Sequence, residues 1–283
     1  MSATLSRFFL LLALLFSASS TLFASQDQEE TFRLDSGNRA YIGIGVAIVE
    51  FDTTIKFTDK PSGISIFVDG EGTLGLPDID SVNTIYGGVG FGEKHSLHAG
   101  YFSVKRENII SFSTQTLDEL VLVNADATLR DETRFMNLDY GYNLFSDYRS
   151  SVDLLVGIFV LDLKYTLEAN GEYEINGVRE SGNYFQEAKA IAPVPNLGLY
   201  FDYAFTPKWS VGARFSMIAG SYQDITARAI KTTLRAKYSI TRSFHADIGV
   251  SYFDADVTID NEDTIAEVGY GYDGLYAGVH WEF

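Results

Sequence analysis

The chain has no cysteine in 283 residues and only five prolines. Without cysteine there is no disulfide scaffold, no thiolate metal site and no cysteine for a lipid anchor. Positive charge is scarce as well. Lys and Arg number 21 against 38 Asp and Glu, a formal net charge of −17. That balance excludes nucleic acid as a partner, because a polyanion needs a basic surface. Long apolar runs are also missing. The run Phe8–Phe16 covers nine residues, and a membrane helix needs about 20. Nothing later in the chain is longer, so a helical membrane protein is excluded. Glycine and aromatic residues are plentiful, with 25 Gly and 14% Phe, Trp and Tyr. Mean hydropathy is close to zero, the average expected when apolar and polar residues alternate.

The apolar run at the start has the form of an export signal. Met1 to Arg7 carries one positive charge, Phe8 to Phe16 forms the apolar region, and small residues follow at Ser17, Ala18, Ser19 and Ser20. A cleaved signal peptide over residues 1–24 is expected, with cleavage after Ala24 or, earlier, after Ser19. Its removal takes Arg7 away and the net charge from −17 to −18. Residues 25–39 are polar and read as a periplasmic lead-in, and residues 40–283 are of a length that fits one domain.

Within 40–283 the residues alternate with a period of two. Ile42, Ile44, Val46 and Ile48 face one way, with Gly43, Gly45 and Ala47 opposite. Leu197, Leu199, Phe201, Tyr203 and Phe205 oppose Asn196, Gly198, Tyr200, Asp202 and Ala204. Similar segments begin near Val82, Ser96, Arg134, Ser151, Trp209, Lys231, Phe244 and Ala266, about ten strands in all, within a range of eight to twelve. Short turns at Gly92–His95, Ser146–Arg149, Thr206–Lys208 and Thr241–Ser243 join them at one end. The other connections are mostly long and acidic: 52–81, 106–133, 167–190 and 258–264. Ile64–Asp69 and Leu120–Leu129 alternate too, as hairpins above the barrel or as the extra strands of a twelve-stranded alternative. Pro193 and Pro195 are expected at the rim before the sixth strand, since proline cannot donate to a ladder.

The last segment, Leu275 to Phe283, places Leu275, Ala277, Val279, Trp281 and Phe283 on one face. Its pattern Tyr276-x-Gly278-x-x-Trp281-x-Phe283 resembles the C-terminal signal read by the bacterial outer-membrane barrel assembly machinery. With the export signal, the alternation and the turn–loop asymmetry, it gives the chain the look of a small Gram-negative outer-membrane β-barrel of the OmpA-like and OmpW-like kind. The resemblance implies an all-β fold: a transmembrane antiparallel up-and-down β-barrel with short periplasmic turns and long extracellular loops. It implies integral residence in the outer membrane, with outer-membrane lipid, lipopolysaccharide and the assembly machinery as partners. An acidic exterior suits a surface where divalent cations bridge lipopolysaccharide. No peptidoglycan-binding domain is expected after the last strand. A soluble periplasmic β-sandwich is the alternative fold.

The inward positions carry the residues capable of chemistry. Arg214, Lys231, Arg235 and Lys237 are expected inside, with Asp139, Asp153, Asp202, Asp247 and Glu282 and the histidines His98, His245 and His280. They read as paired charges that fill a narrow barrel, or as the lining of a selective channel. Omptin-like proteases use an Asp-x-His pair, which is absent. Asp78-x-Asp80 is the remaining acidic pair at the rim, and His95-Ser96 does not have the His-x-Ser spacing of a deacylase. Asp254-Ala255-Asp256 and Asp260–Asp263 lack a calcium-loop pattern. The expectation is therefore a structural or surface-interaction barrel, not an enzyme, with no cofactor and no metal. A narrow pore or conduit for small or apolar solutes is the alternative.

Overall fold

The computed structural model describes residues 39–117, 120–175 and 178–283. The expected signal peptide and residues 25–38 lie outside the described residues. The strands are β1 (Ala40–Asp59), β2 (Ser65–Asp69), β3 (Ile79–Phe91), β4 (His95–Leu117), β5 (Leu120–Ser146), β6 (Ser150–Ile175), β7 (Val178–Ala204), β8 (Trp209–Tyr222), β9 (Ile225–Ser239), β10 (Phe244–Asp260) and β11 (Thr264–Glu282). All pair antiparallel in sequence order, except that β1 lies beside both β2 and β3, and β11 returns to pair with β1. Ten strands thus close a barrel. β2 is a short addition that pairs with the upper part of β1, from Thr54 opposite Asp69 to Thr58 opposite Ser65. In the lower part of the ring closure leaves no open sheet edge, which is what a strand-built membrane protein needs.

All ten expected strands are present, but much of the long connections is strand, not loop. Leu120–Leu129 is the upper part of β5, and 167–175 and 178–190 continue β6 and β7. The alternation survives there with its phase reversed. On β1 the outward side runs Ile42, Ile44, Val46, Ile48 and then Glu50, Asp52, while the inward side changes from Gly43, Gly45 to Val49, Phe51, Ile55 and Phe57. β10 changes at the same level: Ile248 and Val250 give way to Asp254 and Asp256 outside, and Asp247 and Ser251 give way to Phe253, Ala255 and Val257 inside. No register shift occurs between β1 and β11 or between β10 and β11. The inversion is therefore chemical: below it the apolar face meets lipid, above it the apolar face meets a protein core.

The level of inversion is the upper edge of the apolar belt. On β11 the belt covers Leu275 to Phe283. Nine residues rising about 3.3 Å each and tilted about 40° span roughly 23 Å, close to the apolar band of outer-membrane barrels. Charges mark its upper rim: Glu50 opposite Asp273, and Arg134 opposite Asp162 at 3.2 Å. Two exposed apolar residues test this boundary. Leu138 is in the belt and Ile109 is above it, and both are more than half exposed. Leu138→Lys is expected to cost about 2–4 kcal/mol. Ile109→Lys is expected to stay within about 0.5 kcal/mol. Urea unfolding in lipid vesicles reads both.

Above the belt the wall divides into two facing sheets. The β3–β4 ladder ends at Thr84 opposite Phe102, and the β7–β8 ladder ends at Asn196 opposite Ile218. Pro193 and Pro195 lie within β7, paired with Val160 and Ile158 of β6, not before the strand as expected. They stand where β7 leaves β8, so their missing N–H groups interrupt no ladder. The other seam is covered by residues 70–78. Leu74 and Leu76 are buried there, and Asn108 Nδ2 donates to the Leu74 carbonyl at 2.8 Å.

Candidate functional site

The interior is built in layers, because strand alternation sends every second residue inward at a fixed height. The tyrosines of the lower lumen lie over glycines of the neighbouring strand. Tyr86 lies where a Cβ on Gly43 would be 2.5 Å from its ring, and Tyr41 covers Gly88 at 2.7 Å. These glycines therefore admit aromatic rings into a narrow bore.

Between those rings lies a chain of charges. Asp139 has a fully buried side chain. It accepts from Arg214 Nη2 at 2.5 Å, Asn196 Nδ2 at 2.5 Å and Asn137 Nδ2 at 2.6 Å. Asp202 accepts from the Tyr200 hydroxyl at 2.7 Å and from Arg235 at 3.3 Å, and Arg235 also donates to the Tyr200 hydroxyl. The Arg235 Nε lies 3.7 Å from Asp247, which accepts from the Tyr86 hydroxyl at 3.0 Å and meets His280 Nδ1 at 2.6 Å. Asp153 accepts from Asn143 Nδ2 at 2.8 Å, and Lys237 reaches Glu282 at 4.0 Å. In a low-dielectric bore each charge needs such a partner.

Lys231 is the exception among the expected cations. Its ammonium lies 5.8 Å from the ring centres of both Phe102 and Phe159, and no ion pair to it is found among the described residues. Attraction between the cation and the ring faces takes the place of a carboxylate. It lines a cavity of about 340 Å³ with Arg214, Arg235, Tyr41, Tyr86 and Tyr272. The lining also includes Ile85, Ala99 and Tyr101, from strands β3 and β4 near the end of their ladder.

An aromatic layer roofs this cavity. Phe135 of β5 lies 5.3 Å from Phe253 of β10, 5.6 Å from Tyr270 of β11 and 4.3 Å from Phe102. Phe159 stacks on Phe253 at 5.9 Å, so opposite walls touch across the bore. Above this layer sits Arg106, with no exposed side-chain surface, at 2.7 Å from Asp131 and bonded to Glu71 and to Thr53 Oγ1 at 2.7 Å. Its guanidinium lies 4.2 Å from the centre of the Phe51 ring. For Arg106, burial lowers the affinity for a proton, but Asp131, Tyr270 and Glu71 together outweigh it and the net shift is upward. Burial pushes the Asp131 carboxyl up, against the pull of Arg106 and a hydrogen bond from Thr133. Arg106 was not a sequence candidate. Its signal was the phase reversal, which turns an inward position of a surface hairpin into a core position.

The other sequence candidates fall as follows. Tyr276 and Gly278 face inward on β11, while Trp281 and Phe283 face outward and are exposed. Asp78 is exposed just before β3, at the opposite end of the barrel from the histidines. His95, His98, His245 and His280 all lie in the lower half, near the short turns. The rim acids are partly paired: Asp256 with Arg228 at 3.2 Å, and Asp260 with Lys60 at 2.5 Å.

Comparison with known proteins gives the fold. No family model and no curated protein matches the chain. Among solved structures, the translocator domain of the autotransporter NalP from Neisseria meningitidis aligns over 99% of this chain and 96% of its own, at 11% identity and a TM-score of 0.43. OprG from Pseudomonas aeruginosa aligns over 87% and 96%, at 10% identity and a TM-score of 0.36. The outer-membrane protease OmpT from Escherichia coli aligns over 93% of this chain and 100% of its own, at 13% identity and a TM-score of 0.55. The chain shares with OmpT the fold of an outer-membrane β-barrel.

Proposed function

We propose that the chain is an integral outer-membrane barrel with a structural or surface-interaction role, presenting its upper sheets and their acidic rims outside the cell. The observation that carries this reading is the aromatic layer across the upper lumen. The Phe135–Phe253 contact joins β5 to β10 there, and paired charges narrow the bore below it. The resemblance implies lipopolysaccharide at the upper rim, and the acids Glu50, Asp254 and Asp273 suit cations that bridge its phosphates. Assembly would proceed through the barrel machinery that reads the pattern ending in Trp281 and Phe283. The activity named for OmpT is not carried over, since no histidine lies near Asp78 and Asp80 at the upper end.

Single-channel conductance of heat-modifiable, refolded protein in a planar bilayer tests the reading. Silence is expected from the native chain, and discrete openings would sink it. Arg214→Ala is expected to lower the unfolding midpoint without opening a conductance, because it strands the buried Asp139 carboxylate.

One observation favours a second reading, a conduit for small or apolar solutes. The 340 Å³ cavity reaches strand residues Ile85, Ala99 and Tyr101 beside the end of the β3–β4 ladder. Uptake of a small aromatic solute into liposomes that exceeds the rate of protein-free liposomes would favour the conduit over the closed barrel.

A further inference from the structure

The β10–β11 register sets His245 opposite His280. Both rings point into the lumen near the short turns, stacked with centres 4.7 Å apart and planes 17° from parallel. Glu282, two residues after His280, points the same way. His245 Nε2 lies 3.6 Å and His280 Nε2 lies 3.5 Å from the same oxygen, Glu282 Oε1. One ligand atom from each of the three residues lies within 4.8 Å of the others.

The other ring nitrogens are already engaged. His280 Nδ1 meets Asp247 Oδ2 at 2.6 Å, and His245 Nδ1 meets Ser239 Oγ at 2.9 Å. Both Nε2 atoms are therefore left to face Glu282. His245 Nε2 is buried with no hydrogen-bond partner, in a residue only 5% exposed. An orphaned buried nitrogen is costly unless something occupies its lone pair.

We propose that His245, His280 and Glu282 bind a divalent first-row transition-metal ion of the zinc type at the periplasmic end of the lumen. Ligand atoms about 2.05 Å from a tetrahedral ion lie roughly 3.3 Å apart, close to the spacing found to Glu282. Two imidazoles and one carboxylate suit zinc and its neighbours, whereas calcium and magnesium take oxygen cages. The Asp247–His280 contact is the outer-shell carboxylate that orients a ligating imidazole and raises its basicity. The two carboxylate oxygens divide their tasks. Glu282 Oε1 faces the histidines and, at 4.0 Å, Lys237, while Oε2 faces Arg39 at 3.5 Å. The bound ion would clip β10 to β11 next to the seam where β11 closes the ring on β1.

The test is a Co²⁺ titration of chelator-stripped, folded full-length protein in detergent, followed by displacement with Zn²⁺. One Co²⁺ per chain with strong visible absorption is expected, lost on adding one equivalent of Zn²⁺. His245→Gln and His280→Gln should each weaken binding by more than about a hundredfold, and Asp247→Asn by about ten- to a hundredfold. Absence of binding to folded protein, or binding unchanged in both histidine variants, overturns the proposal. Should a variant fail to fold, zinc-edge X-ray absorption of the native complex decides: imidazole scattering supports the site, and an all-oxygen shell overturns it.

Discussion

Arg106→Met is expected to destabilise the folded barrel by about 3–5 kcal/mol, the usual cost of removing one member of a buried ion pair. The Arg106 and Asp131 side chains have no exposed surface, and Glu71 retains 13%. Losing the guanidinium leaves Asp131 charged without a counter-ion and takes away the bonds to Thr53 Oγ1 and the Pro77 carbonyl. Glu71, nearer the surface, can turn to water, so most of the cost falls on Asp131. The compensating variant Arg106→Met with Asp131→Leu should regain most of the loss, because apolar replacements of a buried pair are often neutral or better. Equilibrium urea unfolding of the single and double variants measures both effects. A single-variant loss below about 1 kcal/mol, the size of a typical substitution, would show that the pair does not hold the upper core. Arg106 also ties residues 70–78 to β4, so limited proteolysis of the single variant should cut first in that segment.

Phe135→Ala is expected to cost about 3–5 kcal/mol, the range for an aromatic ring removed from a packed core. Phe135 is essentially unexposed and contacts Phe102, Phe159, Phe253, Tyr270 and Tyr272. These rings come from β4, β6, β10 and β11, so the side chain joins the two sheets across the bore. Phe135→Leu keeps most of the volume and should cost under about 1.5 kcal/mol. Denaturant midpoints in one detergent give the difference. The same variant probes the roof of the cavity. If Phe135→Ala conducts ions while the native chain is silent, the aromatic layer is what seals the lumen from above. If folded Phe135→Ala also stays silent, the Arg214–Asp139 and Arg235–Asp202 layer below is a sufficient seal.

The two variants act on parts of the protein that differ in how readable they were. The ten strands around the apolar belt were legible because one face meets lipid and the other meets a narrow polar bore, so the alternation is strong. Ile42–Ile48 and Leu197–Tyr203 show it without any structure. The upper hairpins alternate as clearly, but in the opposite phase. With lipid assumed outside, the outward charges of Arg106–Thr133 and Leu167–Ala190 have the pattern of acidic loops. Once the outside is water, Lys105, Glu107, Glu132 and Asp162 belong outside, and Val104, Thr133 and Leu163 belong inside.

Parity along a strand points Asp139, Asp202, Asp247, Arg214 and Arg235 inward, but it says nothing of which charge meets which. Asp139 meets Arg214, 75 positions away, because both point into the bore from β5 and β8, with β6 and β7 between them. Lys231 was expected to join that network and instead lies against Phe102 and Phe159, since its strand position is level with the aromatic roof rather than with the carboxylates. His245, His280 and Glu282 were each placed inside by the sequence, yet no metal was expected. Their convergence depends on the β10–β11 register, which a count of residue spacings does not supply.

By itself the sequence determined the closed β-barrel class, the belt and the turn end, because each follows from a local period of two and from which residues tolerate lipid. Only the tertiary structure decided how high the strands continue, which charges are neutralised, where the cavity lies and which three side chains share a corner of the lumen. Those outcomes depend on register and on contacts across the bore between residues far apart in the chain, and alternation along one strand carries no information about the strand opposite.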